Sequence, residues 1–397
     1  MKLHDVIVIG AGPVGSQVAY HLAGEGHEVV VLEQKPRVGG AVCCTGIISQ
    51  ECVRVFSIAD HVILRQENSA KLFSPSGRLL RLRRPGTQAC IVDRAALDSA
   101  MAHRSQNKGT DYVLDSSVRD IEVGDKRVRV GVTFQGERLN FEARAVVIAS
   151  GFGSRLTSGL GLGKISYFLM GAQAEVDTSR LDEVEVYLGQ EVAPGFFAWL
   201  VPTSPHKALV GLALRHSSGS YLKKLMSFLR AHGKIVSDQA KIYFRGIPLK
   251  PLPRTYSKRL IVVGDAAGQV KPTTGGGIYY GLLCADMAAR TLHRALESDD
   301  LSAKSLSNYE REWKVKLNRE LRVDYLARKF YERLSNRQID KIFDTIKSKG
   351  IAETILKMED LSFDWHGEVL LRVLKHKAVS RVLEAMKMPF LSSLVKY

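Results

Sequence analysis

A chain of 397 residues, 45% of them hydrophobic, is long enough for a sizeable core spread over two or three domains. It holds no run of roughly eighteen apolar residues, so a membrane-spanning helix is not expected, and its five cysteines, with no C-x-x-C pair, argue against a disulfide framework or a metal site. The formal charge of +16 points to an anionic partner: a membrane surface, a phosphorylated substrate or an acidic redox protein.

Asp5–Ile9 is a short β-branched run. It leaves no room before it for a signal peptide, so a cytoplasmic location is the default expectation. The run meets Gly10-Ala11-Gly12-Pro13-Val14-Gly15, then a helical pattern with Val14, Val18 and Leu22 on one face. His27–Glu33 reads as a second strand, buried on both faces. Together these make a βαβ unit whose strands should be parallel.

Beyond Val62 the pattern is mixed. Leu79–Arg83 alternates like a strand, Arg94–Lys108 reads as a helix, and Val113–Val132 as further strands. Ala145–Ala149 is again a fully buried strand. Ser166–Ala213 is rich in strand formers separated by turn signals, which predicts an inserted antiparallel sheet. Leu260–Val263 returns to the buried parallel type. After Ile278 the chain looks helical nearly to its end, with breaks at Gly350 and Pro389. From Leu301 onward, 20 Lys and Arg stand against 13 Asp and Glu, and Arg78, Arg81, Arg83 and Arg84 form a second basic cluster. Nucleic acid is not an expected partner, because no recognised binding module accompanies the charge.

G-x-G-x-x-G alone is weak evidence, but here it links a strand to a helix, and Glu33 ends the next strand. Gly10 suits the tight turn, Gly12 a close approach of backbone to a pyrophosphate, and Gly15 close helix–strand packing. Glu33 suits a ribose diol. A second segment, Gly264–Ile278, places Asp265 at a strand end and then Gly275, Gly276 and Gly277 ahead of Ile278 and a helix. An acid there can accept from ribityl hydroxyls. Glycine amides and a helix dipole can stabilise negative charge at the pyrimidine edge of a reduced flavin. The dinucleotide expected is therefore FAD. The expected fold is α/β, with a Rossmann-like FAD-binding domain in three parts (1–62, 63–165 with a strand insertion, 259–297). An antiparallel substrate domain (166–258) is inserted, and a basic helical region (298–397) follows.

With these motifs in place, the sequence resembles the geranylgeranyl reductase family, within the larger group with an aromatic-hydroxylase-like fold. VIVIGAGPVGS with Glu33, VCCTGIIS, IVDRAALDSAMA and GDAAGQVKPTTGGGIYYGLLCAD carry the resemblance, over roughly Lys2–Arg290. It implies that Val14, Glu33, Cys44, Thr45, Arg94, Val118, Asp265, Gly277 and Ile278 lie against FAD. The segment PGFFAWLVP is similar to the family's aromatic cavity motif, Y-x-W-x-F-P, with Phe197 for the tyrosine and Val201 for the second aromatic. Phe197 and Trp199, two residues apart on a strand, share a face and either wall a substrate cavity or pack a sheet core.

The resemblance implies reduction of carbon–carbon double bonds in an isoprenoid chain, on a membrane lipid precursor or a prenyl diphosphate. Cys44 either relays a proton or packs beside the ring. The reductant is NAD(P)H or reduced ferredoxin, and an acidic ferredoxin would suit the basic surface. Val369–Lys396 reads as a basic amphipathic helix able to lie on anionic lipid, or to pack on the substrate domain. Rival readings are a flavin-dependent monooxygenase or halogenase of the same fold, and a non-catalytic flavin electron carrier.

Overall fold

A computed structural model describes residues 2–40, 43–179, 181–359 and 361–385. Five parallel strands form its centre, in the order Asp111–Val113, Val29–Leu32, Leu3–Ile9, Glu137–Ile148 and Leu260–Val262. Val6, Ile7, Val8, Val30, Val31 and Ile148 are all but fully buried, as strands covered on both faces require. The helix Pro13–Gly24 starts with proline, whose missing N–H costs nothing in a first turn. It packs one face of the sheet together with Arg94–Gln106 and Ile278–Glu297. Ser116–Val123 and Val128–Phe134 extend the far side as an antiparallel ribbon.

The second sheet has seven strands, in the order Tyr243–Pro248, Phe168–Asp177, Lys207–Leu214, Phe197–Ser204, Val184–Leu188, Ser69–Phe73 and Leu79–Arg83. Its members from 168 onward pair antiparallel with one another. Ser69–Phe73 joins them by a parallel pairing, Val184 opposite Ala70. The sheet thus recruits two strands from well before residue 166, where an inserted domain was expected to begin. Its outer face is covered by the helix Ser218–Ala231, and Ala198 and Leu200 point into that layer. Phe197 and Trp199 take the other face. A small sheet of Ile47–Ser49, Ala89–Val92 and Ile63–Glu67 bridges the two larger ones.

The C-terminal region is helical at Ala303–Tyr331, Asn336–Ser348, Ile351–Leu356, Gly367–Lys375 and Lys377–Ala385. Gly350 breaks it in the left-handed conformation that favours glycine, with φ of +61°. Pro389 lies outside the described residues. Among the described residues, 357–359 and 361–366 are not helical; they form a strap rather than the continuous helix expected. The expected helix Val369–Lys396 is broken at His376, and its residues beyond 385 also lie outside the described set. In its described part Leu371, Val379 and Leu383 are buried against neighbouring helices, so that apolar face packs inward. No helix among the described residues is long and apolar enough to cross a membrane.

Candidate cofactor and substrate site

Two adjoining cavities open at the carboxyl ends of the parallel strands, where α/β sheets place their ligands. The first, of about 690 Å³, is lined by Glu33, Ser116–Ile121 (including Val118) and Phe152–Leu156. The second, of about 680 Å³, runs from Gly10–Val14 to the inner face of the seven-stranded sheet. Gly10, Glu33, Gln34 and Ser150 line both, so the two form one bent site.

At the joint, Gly10 has φ of +106°, and a Cβ there would lie 2.6 Å from the Ala149 carbonyl oxygen. A Cβ on Gly15 would overlap the Gly10 carbonyl oxygen, while one on Gly12 would meet nothing within 4 Å. Gly10 and Gly15 are therefore fixed by packing, and Gly12 by the space it leaves open. Glu33 Oε2 accepts from the Ala11 amide at 2.8 Å and Oε1 from the Lys35 amide at 3.0 Å, which holds the loop closed. A carboxylate has about four acceptor positions, so both oxygens retain room for a diol.

At the other end, Gly264 follows the strand Leu260–Val262 with φ of +68°. Asp265 receives a long contact, 3.4 Å, from Arg245 Nη2. A Cβ on Gly277 would lie 2.6 Å from Asp265 Oδ1, so glycine there lets the loop fold against the acid. Gly275 takes φ of +75°. Ile278 opens a 20-residue helix whose N-cap, Gly277, provides no side-chain cap, leaving first-turn amides for a ligand.

Cys44, Thr45 and Arg94 line the same cavity. Arg94 is held by Asp98 at 2.7 Å; burial opposes its charge, but the neighbouring Cys44 and Asp98 outweigh burial and raise its pKa. Its Nε is buried without a partner, as a group awaiting an acceptor would be. Thr45 Oγ1 donates to Gln173 Oε1 at 3.0 Å. The adjacent Cys43 is pushed up to about 11, first by burial and then by Cys44, and is a poor thiolate donor.

Phe197 and Trp199 both line the cavity, their rings 6.0 Å apart and edge-on, with Phe196 stacked behind Phe197. Opposite them Gly211 is obligatory, since a Cβ would lie 2.5 Å from the indole. Both rings line the cavity and also pack against the buried cluster of Leu169, Phe196, Ala213 and Leu249. The residues that sequence reasoning missed come from the strap and the basic loops: Leu361, Phe363, Asp364 and His366, together with Lys271 and Arg245. The motif Phe363-Asp364-Trp365-His366, aromatic and ionisable within a polar tail, was the available signal. No metal was expected. Among the described residues, one cluster could hold an ion, namely His27, His293 and Glu297, and His27 precedes its strand, at the edge opposite the cavity.

The glycine cradle, a buried arginine with an unmet donor and the uncapped helix suit a dinucleotide whose far end meets an apolar chamber. Such a fold and site define the flavoprotein class in which a Rossmann-like domain carries a substrate sheet. The family described as "Lycopene cyclase protein" matches residues 5–357. A digeranylgeranylglycerophospholipid reductase of Methanocaldococcus jannaschii is 30% identical over 358 residues, 87% of this chain and 90% of that one. A solved geranylgeranyl bacteriochlorophyll reductase-like protein from Thermoplasma acidophilum superposes with a TM-score of 0.86 at 23% identity, covering 98% and 99% of the two chains. A p-nitrophenol 4-monooxygenase from Pseudomonas putida shares the fold more distantly, with a TM-score of 0.69 at 18% identity and 98% of each chain covered. On these matches the chain belongs to the lycopene cyclase protein family and to the geranylgeranyl reductase family alike.

Proposed function

We propose that the protein is an FAD-dependent reductase that saturates carbon–carbon double bonds of geranylgeranyl chains, as borne by isoprenoid lipid precursors. The observation that carries this reading is the continuity of the dinucleotide cradle with an apolar chamber walled by Phe197 and Trp199. Gly10, Gly12, Val14, Gly15, Glu33, Arg94 and Val118 would hold the adenosine diphosphate half. Cys44, Thr45, Asp265 and Gly275–Ile278 would hold the flavin half.

When bound and reduced, FAD supplies the hydride for one alkene carbon. The chain supplies the rest. An isolated alkene has no carbonyl to polarise it, so placement and exclusion of water carry the catalysis. Phe197, Trp199, Val201 and Phe363 provide predominantly apolar walls. The second carbon needs a proton, and Cys44, a thiol lining the cavity, would give it. Arg94, which lines the cavity beside that thiol, would compensate the charge left behind until solvent reprotonates it.

The decisive experiment is anaerobic photoreduction of the purified protein, followed by geranylgeranyl lipids and mass spectrometry. The expected result is a mass gain of two hydrogens per bond reduced, with the flavin spectrum returning to its oxidised form. Turnover that requires oxygen would instead identify a monooxygenase, and a reduced flavin indifferent to every prenyl lipid would identify a carrier. The reductant, NAD(P)H or a reduced ferredoxin, is replaced by light in this test, so its identity does not affect the outcome.

Trp199→Ala removes the largest wall of the chamber. Burial of a large apolar side chain is worth about 1.5–3 kcal/mol, so KM for the prenyl substrate should rise about tenfold or more. FAD content should stay at the wild-type level. Steady-state kinetics beside the absorbance of bound flavin separate the two, and an unchanged KM would remove Trp199 from the substrate wall.

A further inference from the structure

The strap lines the site with Leu361, Phe363 and His366 and meets it in a buried ion pair. Lys271 Nζ and Asp364 Oδ1 lie 2.8 Å apart, and their side chains are 5% and 2% exposed. Both line the chamber. Lys271 sits directly under the glycine loop: its amide donates to the Gly276 carbonyl, and its own carbonyl accepts from the Gly275 amide. A Cβ on Gly276 would lie 2.9 Å from Lys271 Cε and 3.6 Å from Nζ. Asp364 is fixed in turn by Tyr280, whose hydroxyl donates to the Asp364 carbonyl at 3.0 Å. Trp365 packs on Tyr279 and Tyr280.

Stability is a poor reason for such a pair. Removing two charges from water costs about as much as their attraction returns, and apolar replacements are often neutral or better. The pair is also incompletely satisfied, because Asp364 Oδ2 is buried without a partner. Reduction of FAD adds negative charge at the pyrimidine edge, the end that the Gly275–Gly277 loop and the following helix would face. A cation in a dry site beside that edge favours the reduced form, and a carboxylate on the same cation tempers it.

We propose that the Lys271–Asp364 pair is a positioning element that sets the electron affinity of the bound cofactor and ties it to the seating of the C-terminal strap. This rests on the FAD reading above but not on the prenyl substrate. Lys271 supplies the stabilising charge, and Asp364, brought by the strap, attenuates it.

The test is the midpoint potential of bound FAD at pH 7, measured by anaerobic photoreduction against reference dyes, without substrate. Lys271→Met should lower it and Asp364→Asn should raise it. Each change should alter the preference for reduced over oxidised cofactor at least tenfold, which is about 30 mV for a two-electron couple. Lys271→Arg keeps the charge and should stay near the wild-type value, which also controls for misfolding. Shifts of the same sign in Lys271→Met and Asp364→Asn, or potentials unchanged in protein that retains FAD, would reduce the pair to a structural clasp and overturn the proposal. Absence of FAD from the wild-type protein would overturn the cofactor reading and this proposal with it.

Discussion

Gly15→Ala should strip the protein of FAD and lower its stability, whereas Gly12→Ala should strip it of FAD alone. The two glycines stand three residues apart and serve different masters. Gly15 lies in the helix Pro13–Gly24, and a methyl group there would overlap the Gly10 carbonyl and come within 3.2 Å of the Ala149 side chain. Helix and loop would have to separate, at a cost of about 1–3 kcal/mol or more for overpacking. Gly12 has φ of −69° and ψ of 175°, a conformation alanine adopts freely, and its Cβ would meet no protein atom. A methyl group would instead occupy the space left for the pyrophosphate. FAD affinity should fall about 100-fold or more in both variants, about 3 kcal/mol. The melting temperature of apoprotein should fall only in Gly15→Ala. Flavin absorbance per protein and thermal unfolding of apoprotein read the two effects separately. A Gly15→Ala protein that keeps its full flavin complement and its melting temperature would refute the reading of this loop.

The parts of the site legible in the sequence are those where backbone geometry leaves a residue signature. Gly10, Gly264 and Gly275 adopt positive φ, and Gly15 and Gly277 meet close neighbours, so glycine is the residue type the positions demand. Four of the five parallel strands were legible because burial on both faces gives unbroken apolar runs, whereas the fifth, Asp111–Val113, is partly exposed and carries no such run. The alternation around Phe197 and Trp199 gave their shared face, but not what that face meets. That depends on Gly211, on a partner strand whose role no local pattern reveals. Pairing of Val184 with Ala70 was out of reach for the same reason: the two strands are distant in sequence, and register between them is set by tertiary packing. The strap was missed because buried ions look like surface ions in a sequence. Asp364 and His366 lie within a basic, polar tail, and only the folded chain shows them packed beside Lys271.

Behind Lys271 lies a third buried ion, and it should give the protein a measurable dependence on pH. Asp324, on the helix Ala303–Tyr331, accepts from Thr273 Oγ1 at 2.9 Å, while its Oδ1 is buried without a partner. Burial first, and then the neighbouring Glu320, push its pKa from 3.8 up to about 7, against the opposing pull of Thr273 and Lys271. The raised value means that the folded state holds the proton more tightly than the unfolded chain. The favourable contribution is complete below the unfolded pKa of 3.8 and is lost as pH rises through about 7. At about 1.4 kcal/mol per pKa unit, wild-type protein should lose up to about 4 kcal/mol between pH 4 and pH 8 through this group. Asp324→Asn does not titrate. It keeps an oxygen acceptor for Thr273, so its stability relative to wild type should climb across that window. Urea denaturation midpoints of wild type and variant at a series of pH values measure the difference directly. The gain should be largest at pH 8 and vanish toward pH 4. A variant whose midpoint runs parallel to the wild type at every pH would show that Asp324 does not carry the proton. In that case the charge balance around Lys271 would have to be assigned to Glu320 and Asp364 alone.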